Sequence, residues 1–179
     1  MADTCDVLVA AGLSTGKAAQ DHAPYDRWYQ EGFLQLSPGK TISYEYIAHH
    51  LRQVFKQYTI AKIGFDRWKF PVLREWLIKS GFTEAMIEQH FTPFGQGLQS
   101  MTPAMRDLEQ VILDGHLVHN SPVLSMNMAH VVVTSDDAGN RKPSKRKSTH
   151  RIDGAVALIM AIGVSSTQPK PIDVMALIG

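Results

Sequence analysis

Residues 154–164, GAVALIMAIGV, are apolar on every side of whatever element they form. A surface helix carries a polar face, so a segment this uniform has to be enclosed by other elements. It falls short of the roughly 18–20 residues that a membrane span needs, and no other apolar run in the chain approaches that length. The segment therefore reads as a buried core helix. The 179 residues are enough for one domain around it, and residues 1–179 are expected to form a single unit.

What precedes this segment is its chemical opposite. Residues 141–151, RKPSKRKSTHR, hold Arg141, Lys142, Lys145, Arg146, Lys147 and Arg151 and no acid. Outside that run the chain has twelve basic against seventeen acidic groups, so the net charge of +1 conceals a basic patch on an acidic body. Such a patch points to a polyanion, and these six residues are candidate DNA contacts; a solvated loop would have the same composition. The lone Cys5 excludes an internal disulfide and a multi-cysteine zinc site, and MADTCDVLVAAG has no basic leader region.

The remaining pattern alternates strands and helices, which indicates an α/β domain. CDVLVAAG suggests a short strand, and APYDRWYQEGFL a short helix from Pro24 to Gly32. SPGK reads as a turn, and TISYEYIAHHLRQVFKQY has helical apolar spacing. TIAKIGFD alternates as a strand ending at Asp66, and FPVLREWLIKSGF forms a helix stopped by Gly81. A connection containing FGQG follows. MTPAMRDLEQVILDG is expected to be a helix with Thr102 as N-cap and Pro103 at its first position. LVH suggests a short strand, PVLSMNM another helical turn, and HVVVTSDDAGNRKP a strand running into a hairpin turn. Trp28, Trp68 and Trp76 are expected as core anchors, with Trp68 the one best placed for base stacking; Met101, Met105, Met126 and Met128 are expected to fill core gaps.

Asp66 and Asp153 are the candidate catalytic and metal-ligating residues. Asp66 ends a strand, where open α/β sheets bind their ligands, and Asp153 begins the buried helix, where an N-cap would contribute about 1 kcal/mol. Two such carboxylates can converge on a hard divalent cation, with water and phosphate oxygens completing the octahedron. A pair of such cations about 4 Å apart would clamp both oxygens of a phosphodiester cleavage. Zinc is disfavoured, because His49, His50, His116 and His119 lie in no ligand motif. Acyl chemistry is disfavoured because no Gly-x-Ser-x-Gly elbow is present.

HAPYDRWYQEGFLQLSPGKTISYEYIA, IGFDRWKFPVLREWL, FGQGLQSMTPAMRDLEQVILDGHLVH and DDAGNRKPSKRKSTHRIDGAVALIMAIG resemble, in order, the C-terminal nuclease domain of tailed-phage terminase large subunits. The resemblance runs over about residues 12–163, leaving 164–179 as a C-terminal tail. It implies a ribonuclease H-like mixed sheet flanked by helices, and a Mg2+- or Mn2+-dependent endonuclease that cuts concatemeric viral DNA in the host cytoplasm. Its implied partners are double-stranded DNA, the terminase ATPase domain, the small terminase subunit and the portal. Of the family's three metal-binding acids, the second falls on Asp66 and the third on Asp153, and Lys145 matches a lysine recurring ahead of the third. The first belongs to a Leu-Asp-Leu-Ser type strand, and Asp3, Asp6 and Asp21 stand in no such motif. GLSTGK lacks phosphate-loop spacing, so no ATP site is expected. The expected molecule is thus an N-terminally truncated domain with weak or no nuclease activity alone. The alternative is a non-catalytic DNA- or protein-binding prophage remnant of it.

Overall fold

The computed structural model describes residues 8–11, 21–37 and 41–166. In chain order the elements are β1 (Leu8–Ala11), α1 (Tyr25–Gln30), β2 (Leu34–Ser37), α2 (Tyr44–Gln57), β3 (Ile63–Phe65), α3 (Phe70–Lys79) and α4 (Glu84–His90). They continue with β4 (Phe91–Pro93), α5 (Leu98–Leu113), α6 (Pro122–Ala129), β5 (Val133–Ser135), β6 (Arg141–Pro143) and α7 (Asp153–Ser165). Asp3, Asp6, Cys5, GLSTGK and residues 38–40 of the expected turn lie outside the described residues, as do 167–179 of the expected tail.

The strands pair two by two. β1 with β2 and β3 with β4 are parallel, while β5 with β6 is an antiparallel hairpin. Both senses of a mixed sheet are present, but among the described residues no strand joins one pair to the next. Among the described residues Asp66 therefore follows a strand with one partner, β4, where the sequence pattern suggested a central one. β6 gains its other neighbour from a helix. The Thr102 hydroxyl of α5 donates to the Arg141 carbonyl at 3.0 Å and accepts from the Arg141 N–H at 2.8 Å.

The uniformly apolar segment forms α7, and its main support is α5. Met101, Ala104, Met105 and Leu108 interlock with Ile152, Val156, Ile159 and Met160 in one buried cluster. Gly163 sets the closeness of that packing, because an added Cβ would lie 2.6 Å from the Phe94 ring and 2.8 Å from Ala104 Cβ. Gly64 does the same for β3, where a Cβ would stand 2.9 Å from Val164 Cγ2. A second cluster joins Ala48, Leu77, Phe82, Ile87 and Phe91, and a third joins Tyr25, Trp28 and Leu34 to Val123.

Several sequence expectations are corrected. The FGQG connection follows an unanticipated α4 and β4: seven helical residues are too few to show a period, and Pro93 masks the strand. Thr83 starts α4, its Oγ1 accepting from Met86 N–H. Helix α5 begins a turn early, after Gly97, which places Thr102 and Pro103 inside it and frees Thr102 to hold β6. LVH is not a strand; Leu117 packs under the α5–α7 cluster instead. Trp28 is buried and Trp76 packs on the second cluster, but Trp68 is 89% exposed, carried outward by the turn after β3. The methionines do fill the core, Met101 and Met105 fully and Met126 and Met128 at its margins. The first residues of the expected tail, Val164 and Ser165, belong to α7.

Candidate functional site

Asp66, Lys145 and Asp153 come from three separate segments and line one cavity of about 970 Å³. It is lined by residues 59–66 and by α7 residues between Asp153 and Ser165, with Gln96, whose Nε2 lies 3.8 Å from Met160 Sδ, also bordering it. Asp66 is held by the turn after β3, its Oδ1 accepting from Trp68 N–H at 3.2 Å. Lys145 donates to Asp153 Oδ1, and both side chains are more than half exposed.

Asp153 does not cap its own helix. It is the first helical residue of α7, Ile152 holds the cap position, and no side chain of the α7 start makes a cap bond. The orphan N–H of Gly154 is instead taken by Asn127 Oδ1 of α6 at 2.8 Å. Asn127 is buried, and its Nδ2 donates to Val123 O at 2.9 Å, which fixes the amide's orientation. The capping duty having passed to α6, the Asp153 carboxylate is left to face the cavity. Asn127 was not foreseen from the sequence; its only signal there is being one of two polar residues, with Ser125, in the mostly apolar PVLSMNMA.

The six basic residues separate into two groups. Arg141 grips Glu109 bidentately at 2.9 and 2.8 Å, and this bond holds the Glu109 carboxyl below its usual range. Arg151 donates Nε–H to Asp21 Oδ2 at 3.3 Å, beside the hydroxyl of Tyr25, which donates to the same oxygen at 2.9 Å. Burial, then the bond to Asp21, pushes the Tyr25 phenol up to about 12. His150 adds a bond from Nδ1 to Asp21 O at 3.0 Å, and its ring lies 4.0 Å from that of His130. Arg141 and Arg151 thus tie down the two ends of the loop, and Lys145 pairs with Asp153 across its middle. Lys142, Arg146 and Lys147 form no ion pair among the described residues.

Hard oxygen donors suit a magnesium-like cation, which one or two carboxylates and several waters can hold. Asp66 and Asp153 are the two carboxylates that line the cavity. Among the described residues no group of three or more His, Cys, Asp or Glu is placed to hold a metal ion.

An α/β fold that opens two acids and a lysine beneath a basic loop is that of a nuclease domain. Residues 6–168 match the family model "Terminase large subunit, endonuclease domain", and the chain belongs to that family. It is 37% identical to the terminase large subunit of Enterobacteria phage HK97 over 147 residues, 82% of this chain and 28% of that protein. Protein YmfN of Escherichia coli strain K12 is 27% identical over 142 residues, 78% of this chain and 30% of its own. The crystal structure of the HK97 large terminase superposes with a TM-score of 0.80 at 34% identity, covering 87% of this chain and 32% of that one. The large terminase nuclease from thermophilic phage G20c shares the fold at a TM-score of 0.53 and 16% identity, over 73% of this chain and 66% of that one. The chain spans under a third of the length of the curated relatives it matches. Among the described residues no helix is long and apolar enough to cross a membrane.

Proposed function

We propose that the chain carries the metal-dependent endonuclease centre of a DNA-packaging terminase, acting on concatemeric viral double-stranded DNA. The observation that carries this reading is the convergence of Asp66, Lys145 and Asp153 on one cavity. Asp66 and Asp153 would hold Mg2+ or Mn2+; when bound, the cation would activate water and neutralise charge on the cleaved phosphate. The chain's own part is positional. The turn at Trp68 aims Asp66, the Asn127 cap aims Asp153, and the Lys145 ammonium balances charge where a phosphate would lie. Lys142, Arg146 and Lys147 supply unpaired cations for the DNA backbone, while Arg141 and Arg151 hold the loop that carries them. The terminase ATPase domain, the small subunit and the portal are the partners of this role, and the bacterial cytoplasm its setting.

Calorimetric titration with Mn2+ tests the centre. Binding in the wild-type chain that disappears in both Asp66→Asn and Asp153→Asn is expected, with only weak plasmid nicking by the chain alone. Mn2+ binding that is unchanged in both variants would overturn the assignment. With no third His, Cys, Asp or Glu joining the two carboxylates among the described residues, a non-catalytic DNA-binding role is the second reading. Salt-sensitive DNA binding without any Mn2+ binding would select it.

A further inference from the structure

We infer that the Trp68 indole is a base-stacking wedge for DNA beside the acids, so that the place of cleavage depends on how readily a base step opens. The inference deepens the nuclease reading and rests on it for its bearing on cleavage. The contact with DNA rests on exposure and charge at the turn itself. Of the chain's three tryptophans, two are spent inside the protein. Trp28 is buried with its ring edge-on to Tyr25, and Trp76 packs on the second cluster with the Lys79 ammonium 4.4 Å from its ring. Trp68 is 89% exposed, and among the described residues its ring meets no other ring and no cation. A packed aromatic side chain covers roughly 150–250 Å2, so this one has a large surface still to bury.

The turn that carries it has a fixed base. Phe65 and Phe70 stand on either side of the turn with their rings stacked at 3.6 Å, and both pack on the second cluster. Below them β3 is seated against α7 at Gly64. The four residues between the two phenylalanines, Asp66 to Lys69, are all exposed. The Trp68 N–H donates to Asp66 Oδ1 at 3.2 Å, which ties its backbone to the acid and leaves the ring free. The flanking aromatics thus turn inward while the largest one turns outward.

Charge decides what covers it. Arg67 and Lys69 flank the indole, are exposed, and form no ion pair among the described residues. The first turn of α3 adds no acid. A protein surface docking on the indole would have to strip water from both cations, whereas DNA offers phosphates to the cations and a base to the ring. Lys142, Arg146 and Lys147 are unpaired on the basic loop, so a duplex could be gripped on both sides of the acids. Bases follow one another about 3.4 Å apart along a strand, so a ring two residues from Asp66 falls within a few steps of a phosphate held there. Inserting a ring costs base stacking, and the cost is least at a mismatch or a flexible pyrimidine–purine step. Trp68 would therefore choose among steps without reading a base edge.

The test titrates the chain with a short duplex in EDTA and follows tryptophan emission, which stacking on a base quenches. Emission is expected to fall in the wild type and to stay level in Trp68→Phe, whose remaining tryptophans are packed inside. Anisotropy of a labelled duplex gives affinity alongside. Trp68→Ala is expected to bind about five- to a hundredfold more weakly, and Trp68→Phe to recover most of that loss. The wild type is expected to prefer a duplex with a central mismatch, a preference that Trp68→Ala loses. Position 68 is exposed, so the alanine variant should unfold at the wild-type denaturant midpoint. Emission unchanged by DNA, or equal affinities of wild type and Trp68→Ala for both duplexes, would overturn the wedge and leave the indole to a protein surface. Quenching in a chain that binds no Mn2+ would keep the wedge and sink the nuclease reading; nicking without quenching would do the reverse.

Discussion

Asn127 decides where the Asp153 carboxylate points. An aspartate that opens a helix is drawn to the free N–H groups of its own first turn, because local capping is worth about 1 kcal/mol. In this fold the Gly154 N–H already belongs to Asn127, so Asp153 is released to the cavity and to Lys145. Asn127→Ala would strand that buried N–H and cost about 1–3 kcal/mol, measured by denaturant unfolding. The variant is also expected to lose Mn2+ affinity although it touches no metal. Full affinity in a destabilised Asn127→Ala protein would separate the cap from the site. Thr102 is another such residue, a helical hydroxyl serving both backbone groups of Arg141.

At the scale of elements, α7 is held by shape more than by any bond. Gly163 lies where Phe94 and Ala104 approach closest, so Gly163→Ala forces the α5–α7 contact apart. A loss of about 1–3 kcal/mol is expected from such overpacking, against a small gain from helix propensity, and thermal unfolding would register it. The elements with a long apolar period or a Gly stop, namely α2, α3 and α7, could be read from the sequence, as could the DAGN hairpin. The helix α4 and strand β4 could not, being too short for a repeating pattern to stand out, nor could the true start of α5, where Gly97 capped in place of the more familiar Thr102. The site was legible in part. Asp66 and Asp153 announce themselves by position, whereas Asn127 and the Glu109 and Asp21 tethers exist only once distant segments meet.

Across the whole molecule, the division of the basic run has a measurable signature. Each phosphate contact steepens the fall of DNA affinity with salt by about 0.9 in log–log slope. Substituting Lys142, Arg146 and Lys147 together by alanine should flatten that slope, whereas Arg141→Ala and Arg151→Ala should act chiefly on stability. A uniform effect of all five would show the loop to be an undivided charge patch. The Asp21 tether has a further consequence, in time rather than in energy. It joins the segment ahead of α1 to a loop 130 residues away, one of the most non-local bonds among the described residues. Loop closure costs only about 0.6 kcal/mol per doubling of separation, but it has to be met before the contact forms. The Arg151 end of the basic loop is therefore expected to be secured later in folding than its Arg141 end, which Glu109 holds across a separation of 32 residues.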